Sequence, residues 1–219
     1  MGKAIYRLAS QYGFSVLVVI DNEEDWAEKL NDFANCDAAV EFSTPQTVLL
    51  NLTKCFELQI PVVSGTTGWY QQEELLKKWK NKPVSIVYGS NFSIGANLFF
   101  KLNRWLAQQM KEQPQYQVSI EEIHHVNKKD SPSGTALAIE QTILSQYDNR
   151  FDISIISHRE GDVVGEHCVN YGSIEDSIQV KHCAYTRDAF AHGALKAALW
   201  LTNNTGCFAF EDIFDKLKK

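Results

Sequence analysis

A doubly wound parallel α/β sheet carrying an inserted α+β domain is the fold class that this sequence predicts, and three observations carry the prediction. Apolar runs and helical segments alternate through residues 1–92 at the spacing of β-α-β units. The apolar runs are continuous rather than alternating, as expected of parallel strands covered on both faces. Between about 117 and 182, strand-like stretches follow one another with a single helix among them, which suits a mixed or antiparallel sheet.

Residues 3–11 read as a helix ended by Gly13. The run Ser15-Val16-Leu17-Val18-Val19-Ile20, bounded by Asp21-Asn22, reads as a buried parallel strand. Residues 38–42 make another, Pro45 opens a helix to about Leu58, and Pro61-Val62-Val63-Ser64 is a third strand. A helix over 71–80 leads to a fourth strand at 84–88. In such a sheet ligands bind beyond the carboxyl ends of the strands, where Asp21, Ser43-Thr44, Gly65-Thr66-Thr67 and Ser90-Asn91-Phe92 fall. After a helix over 96–110, strands are expected at 117–122, 152–157, 166–171 and 177–182, with a helix at 135–147. Glu160-Gly161-Asp162 and Gly165 suit a hairpin, and Leu195 to Leu201 returns as an apolar helix.

Composition excludes some functions. A net charge of -6 gives no reason to expect nucleic acid or an anionic membrane as partner. Cys36, Cys55, Cys168, Cys183 and Cys207 show no CxxC spacing and read as buried, reduced thiols. No run approaches the ~18 apolar residues of a membrane span and no signal peptide is evident, so a cytoplasmic protein is expected.

The chemistry concentrates in Glu121-Glu122-Ile123-His124-His125-Val126-Asn127-Lys128-Lys129-Asp130-Ser131-Pro132-Ser133-Gly134-Thr135-Ala136. Ile123 closes a strand, so both histidines and Lys128 fall on the loop at its end. Pro132 stops the strand, and Ser133 or Thr135 caps the next helix. The first amides of that helix favour a carboxylate or phosphate by about 0.3–1 kcal/mol per charge, and Gly134 lets an anion approach the backbone. Singly, each feature has a plain structural explanation: a hydrogen-bonded His pair, a solvated lysine, an unliganded cap. Adjacent strand histidines point to opposite faces, which argues against both binding one metal, and no metal is expected. Together, within so short a stretch, they make a site able to hold a dianion and to protonate a reacting atom.

This segment resembles the signature of the dihydrodipicolinate (4-hydroxy-tetrahydrodipicolinate) reductase family: Glu, any residue, His-His, a short gap, Lys, any, Asp, any, Pro-Ser-Gly-Thr-Ala. Further motifs occur in the family's order: Glu41-Phe42-Ser43-Thr44-Pro45, Val63-Ser64-Gly65-Thr66-Thr67-Gly68, Ser90-Asn91-Phe92-Ser93-Ile94-Gly95, His158-Arg159-Glu160-Gly161-Asp162-Val163-Val164-Gly165-Glu166-His167, and Ala191-His192-Gly193-Ala194. The resemblance implies a Rossmann-like cofactor domain over 1–92 and 193–219, and a substrate-binding and tetramerisation domain over 93–192. It implies NADH- or NADPH-dependent reduction of 4-hydroxy-tetrahydrodipicolinate, with loss of water, in lysine biosynthesis through diaminopimelate. His124 and Lys128 are then catalytic, and His125, Ser133, Gly134 and Thr135 bind the dicarboxylate. Gly2, Asp21, Gly65, Thr66, Thr67, Gly89, Ser90, Asn91 and Phe92 bind the cofactor, and the chain forms a homotetramer through the helix-free face of its second sheet.

One departure affects the cofactor half. Met1-Gly2-Lys3-Ala4-Ile5 matches only the last part of the family's glycine loop, so the first strand of the sheet is missing. Either the start lies upstream of Met1 or the chain is truly shortened. Asp21, at the end of the second expected strand, suits the ribose hydroxyls of NADH and opposes the extra phosphate of NADPH; a plain turn residue before Asn22 has the same sequence. The alternatives are a truncated, inactive dicarboxylate-binding protein and a related dehydrogenase acting on another small substrate.

Overall fold

The computed structural model describes residues 1–69, 84–147 and 152–218, which form two compact units, Met1–Ile94 with Asp188–Lys219 and Gly95–Arg187. The helix expected at 71–80 lies outside the described residues. In chain order the first unit supplies α1 (Gly2–Leu8), α2 (Glu23–Phe33), β1 (Ala39–Glu41), α3 (Val48–Glu57), β2 (Val62–Ser64) and β3 (Ile86–Tyr88). Then come α4 (Ile94–Met110), β4 (Gln117–His124), α5 (Gly134–Leu144), β5 (Ser154–Arg159), β6 (Gly165–Gly172) and β7 (Ser177–Ala184). The chain returns through α6 (Asp188–Leu201), β8 (Cys207–Ala209) and the short α7 (Phe210–Ile213).

The first sheet has the order β1-β2-β3-β8 and is wholly parallel. Val62 and Ile86 pack on one face against Val48, Leu52 and Cys55 of α3 and Trp26 and Phe33 of α2. Val63 and Val87 pack on the other against Ala194, Ala197, Ala198 and Leu201 of α6 and against Phe210. Helices on both faces of a parallel sheet make it doubly wound, and explain why its strands read as unbroken apolar runs. α2 adds to the expected elements: Asn22 caps it by accepting the Asp25 N–H at 2.9 Å, and Glu23, Glu24 and Asp25 place negative charge in its first turn.

The run 15–20 departs from expectation. It forms no strand, and Val16, Leu17 and Val19 are exposed, while Val18 and Ile20 touch the core around α2 and α3. The reason is the ladder: β1 ends the row of four strands, and no described residue supplies a strand between β1 and this run. An apolar composition cannot hold extended backbone in a sheet without hydrogen-bonding neighbours.

The second sheet has the order β5-β4-β6-β7, with β4 and β5 parallel and the other pairs antiparallel. Residues 160–162 therefore do not close the expected hairpin. β5 and β6 flank β4 on opposite sides, so their connection crosses the carboxyl end of β4. It is tied there by Glu160 N–H to the His124 carbonyl at 2.8 Å and Val126 N–H to the Gly161 carbonyl at 3.1 Å. On the covered face Val118, Ile120, Val169 and Tyr171 lie under Phe99, Leu106 and Met110 of α4 and Ala136, Ile139 and Ile143 of α5. All five cysteines are free, but only Cys55 is buried; burial pushes its thiol up to about 12. Among the described residues no helix is long and apolar enough to cross a membrane.

Candidate active site

The carboxyl end of β4 gathers its groups by register. Glu122 stands opposite Ser157 of β5 and His167 of β6, and His124 stands opposite Arg159. Directly opposed residues share a face, as do residues two apart along a strand, so these five side chains project together onto the helix-covered face. Glu122, His124 and His167 are all buried.

Glu122 organises this group. Its Oε1 accepts the Ser133 N–H at 3.0 Å and the Ser157 hydroxyl at 2.7 Å, with the Arg159 guanidinium 3.6 Å away. Its Oε2 lies 3.3 Å from His124 Nδ1 and 3.6 Å from His167 Nε2. Burial alone would raise the Glu122 carboxyl, but the hydrogen bonds from Ser133 and Ser157 outweigh it and hold the group below the usual carboxylate range. Burial also keeps both histidines neutral: His167 is pushed down to about 4, and His124 is lowered despite the opposing pull of Glu122.

The loop after β4 carries the remaining expected residues. His125 is half-buried, and its carbonyl accepts the Lys128 N–H at 3.1 Å. Lys128 Nζ donates to Asp130 at 2.9 Å. That ammonium, with help from the Gly134 N–H, holds the Asp130 carboxyl below its usual range. Arg159 anchors the loop through the Asp130 carbonyl at 2.6 Å. Ser133, not Thr135, caps α5, accepting the Ala136 N–H at 3.1 Å, and its hydroxyl also lies 3.2 Å from His167 Nε2. A Cβ at Gly134 would meet nothing within 4 Å, so the space beside that residue is open, while its N–H already serves the Asp130 carboxylate. Glu122, Ser157, Arg159 and His167 add to the expected site residues. Glu122, Arg159 and His167 stand inside the motifs quoted above, but that they meet with Ser157 is readable only once the register is known.

In the first unit, β1, β2 and β3 end level, with Glu41, Ser64 and Tyr88 in register. The buried Glu41 carboxylate fastens the loops beyond them. It accepts the Ser43 N–H at 2.9 Å, the Ser64 hydroxyl at 2.8 Å and the Thr66 hydroxyl at 3.0 Å, and also the Ser43 hydroxyl. The Thr66 hydroxyl is thus engaged by the scaffold, whereas Thr67 and Ser90 are exposed. Phe92 is buried against Phe42 and Phe210. Gly65 has a structural reason to be glycine, since a Cβ there would lie 2.0 Å from the Phe42 ring. Asp21 is exposed; its N–H is held by Asp25 at 2.7 Å. A Cβ at Gly2 would meet nothing within 4 Å. The level strand ends, with exposed Thr67 and Ser90 and half-buried Asn91, offer polar groups that fit a nicotinamide cofactor.

A doubly wound parallel sheet is followed in the chain by a mixed sheet with ionisable groups buried at one strand end. Family profiles described as dihydrodipicolinate reductase, N-terminus and C-terminus, match residues 1–92 and 95–214. The 4-hydroxy-tetrahydrodipicolinate reductase of Christiangramia forsetii is 39% identical over 230 aligned residues, covering 100% of this chain and 95% of that protein. The enzyme of the same name from Thermosipho africanus is 35% identical, covering 97% and 92%. Among solved structures, a dipicolinate-bound dihydrodipicolinate reductase from Paenisporosarcina sp. TG-14 shares the fold. Its TM-score is 0.70 at 22% identity, over 94% of this chain and 84% of that one. The chain belongs to the dihydrodipicolinate reductase family.

Proposed function

We propose that this chain reduces 4-hydroxy-tetrahydrodipicolinate to tetrahydrodipicolinate with loss of water, in lysine biosynthesis through diaminopimelate; the relatives that it matches are named for that reductase. The observation that carries the reading is His124, buried beside Glu122 and His167 at the end of β4, directly before the Lys128 and Ser133-Gly134-Thr135 loop. The Asp130 carboxylate already sits on Lys128 and the Gly134 N–H, which supports that pocket as a seat for a substrate carboxylate. His125, Ser133 and Thr135 complete the dicarboxylate site.

When bound, the reduced nicotinamide supplies the hydride. Lys128 neutralises charge developing on the substrate and is the proton donor; His124, neutral at rest, relays a proton at its ring nitrogen. Gly2, Asp21, Gly65, Thr66, Thr67, Gly89, Ser90, Asn91 and Phe92 form the cofactor site, in residues 1–92 and 193–219. Asp21 favours NADH over NADPH, with both accepted. Residues 93–192 bind substrate and join four copies through the open face of the second sheet. The protein acts in the cytoplasm, on a small dicarboxylate, with neither nucleic acid nor membrane as partner. The test is loss of reduced-cofactor absorbance with freshly made substrate. A flat trace at saturating substrate, with cofactor shown to bind, removes the proposal.

A further inference from the structure

The covered face of the second sheet holds an ionised carboxylate with one oxygen still to be matched. Glu122 Oε1 is taken by Ser133 and Ser157. Neither Glu122 Oε2 nor His124 Nδ1 has a hydrogen-bond partner elsewhere among the described residues, yet the two face each other at 3.3 Å. One proton on Nδ1 satisfies both atoms, and burying such a pair unmatched would be costly. We propose that Glu122 is a positioning residue for the reaction: it fixes the resting proton of His124 on Nδ1, presents Nε2 as the reacting nitrogen, and stabilises the imidazolium formed when Nε2 takes up a proton. The inference deepens, and rests on, the reading of His124 as catalytic.

The surroundings agree. Beyond the ring, Gly165 keeps the Nε2 edge uncrowded, since a Cβ there would lie 3.1 Å from Nε2. The charged and titratable groups around His124 are Glu122 on its own strand, Arg159 from β5, His167 from β6, and Lys128 and Asp130 from the loop. Glu122 and Asp130 favour the imidazolium, while burial, Lys128 and Arg159 oppose it. Glu122, His124 and His167 also offer three ligand atoms within 4.8 Å of one another. A divalent cation held there would compete for the carboxylate and ring-nitrogen atoms that the proton joins, so the two occupancies exclude each other.

Two measurements test the proposal. Histidine-ring nitrogen NMR on the wild-type chain, with His124 assigned by comparison with His124→Asn, reads the tautomer without needing turnover. Protonated Nδ1 is expected, and protonated Nε2 overturns the idea. In Glu122→Gln, kcat should fall roughly 10- to 100-fold with KM little changed. The acidic limb of its pH profile should move down by about one unit, because an attracting charge is gone, and Glu122→Asp should recover part of the loss. A folded Gln variant with unchanged kcat and limb overturns the proposal, as does a stoichiometric divalent metal whose removal abolishes activity. Should the variant not fold, the wild-type tautomer decides alone. A wild type without turnover would defeat the reductase reading while leaving the tautomer readable.

Discussion

Replacing Gly193 by alanine probes how tightly α6 lies on the loop that precedes α4. An ideal Cβ at Gly193 would sit 1.7 Å from the Phe92 carbonyl oxygen, 2.9 Å from its carbonyl carbon and 3.3 Å from the Phe210 ring. Real Cβ contacts essentially never fall under 3.0 Å, so helix and loop must separate by about 1.3 Å, from 3.0 − 1.7. The obstacle is main chain, and Phe92 is itself wedged between Phe42 and Phe210, so no side-chain rotation relieves it. Overpacking of this kind costs about 3 kcal/mol, the upper end of the usual range. Against it stands a gain of about 1 kcal/mol, because alanine is the better helix former. The net loss of about 2 kcal/mol corresponds to a melting temperature lower by roughly 4–8 °C in a chain of this size. Thermal melts of both proteins measure it. Titration with reduced cofactor should show weaker binding in the variant, since Asn91-Phe92 is the segment displaced. A melting temperature within about 1 °C of wild type, with unchanged cofactor affinity, would refute the close approach.

Four further outcomes follow from named contacts. Tyr171→Phe removes the donor to Asn103 Oδ1, a 2.9 Å bond between two fully buried groups, and should cost about 1–3 kcal/mol in urea melts without altering substrate affinity. His167 is held near 4 when folded against 6.5 when unfolded, so the unfolded chain binds the extra proton between those values. Stability is therefore complete above pH 6.5, falls as pH drops toward 4 and levels below it; His167→Asn should flatten that slope in melts across the window. Lys128→Ala should depress kcat strongly while His125→Ala mainly raises KM, and steady-state kinetics of the two separate a proton donor from a substrate contact. Asp21→Asn should weaken NADH and strengthen NADPH, as read from binding constants for both; if both move together, Asp21 is only a turn residue.

Much of the fold is legible from local pattern. The apolar runs at 61–64 and 84–88 become β2 and β3 because both faces of the sheet are covered, and Ser133-Gly134-Thr135 opens α5 because a serine oxygen caps it. The run 15–20 misleads for the same reason it attracts notice: composition reports fitness for a buried sheet, not the presence of a neighbour to pair with. The loop at 160–162 misleads because a turn signal fixes local geometry, whereas the strand lying between β5 and β6 comes from much earlier in the chain, at Gln117–His124. His124, His125 and Lys128 are visible as a contiguous motif. Glu122 and His167 stand in separate motifs of the sequence, but that they meet is a matter of cross-strand pairing, a property of register that no single segment encodes.

The two rows at the end of β4, β5 and β6 make strand alignment a chemical specification. Because side chains alternate across a sheet, deleting one residue of β6 between His167 and Gly172, with the turn into β7 held, would turn the imidazole to the opposite face and leave Glu122 opposite a different neighbour, although every quoted sequence motif survived. Length changes in the turn between β6 and β7 carry no such penalty, because that turn lies at the far end of the sheet from His124. Natural variation in chain length should therefore collect at residues 173–176 and be excluded from 154–172. A reading-frame-preserving deletion scan would map the constraint directly, with inactive but folded chains marking the strands whose alignment the reaction needs.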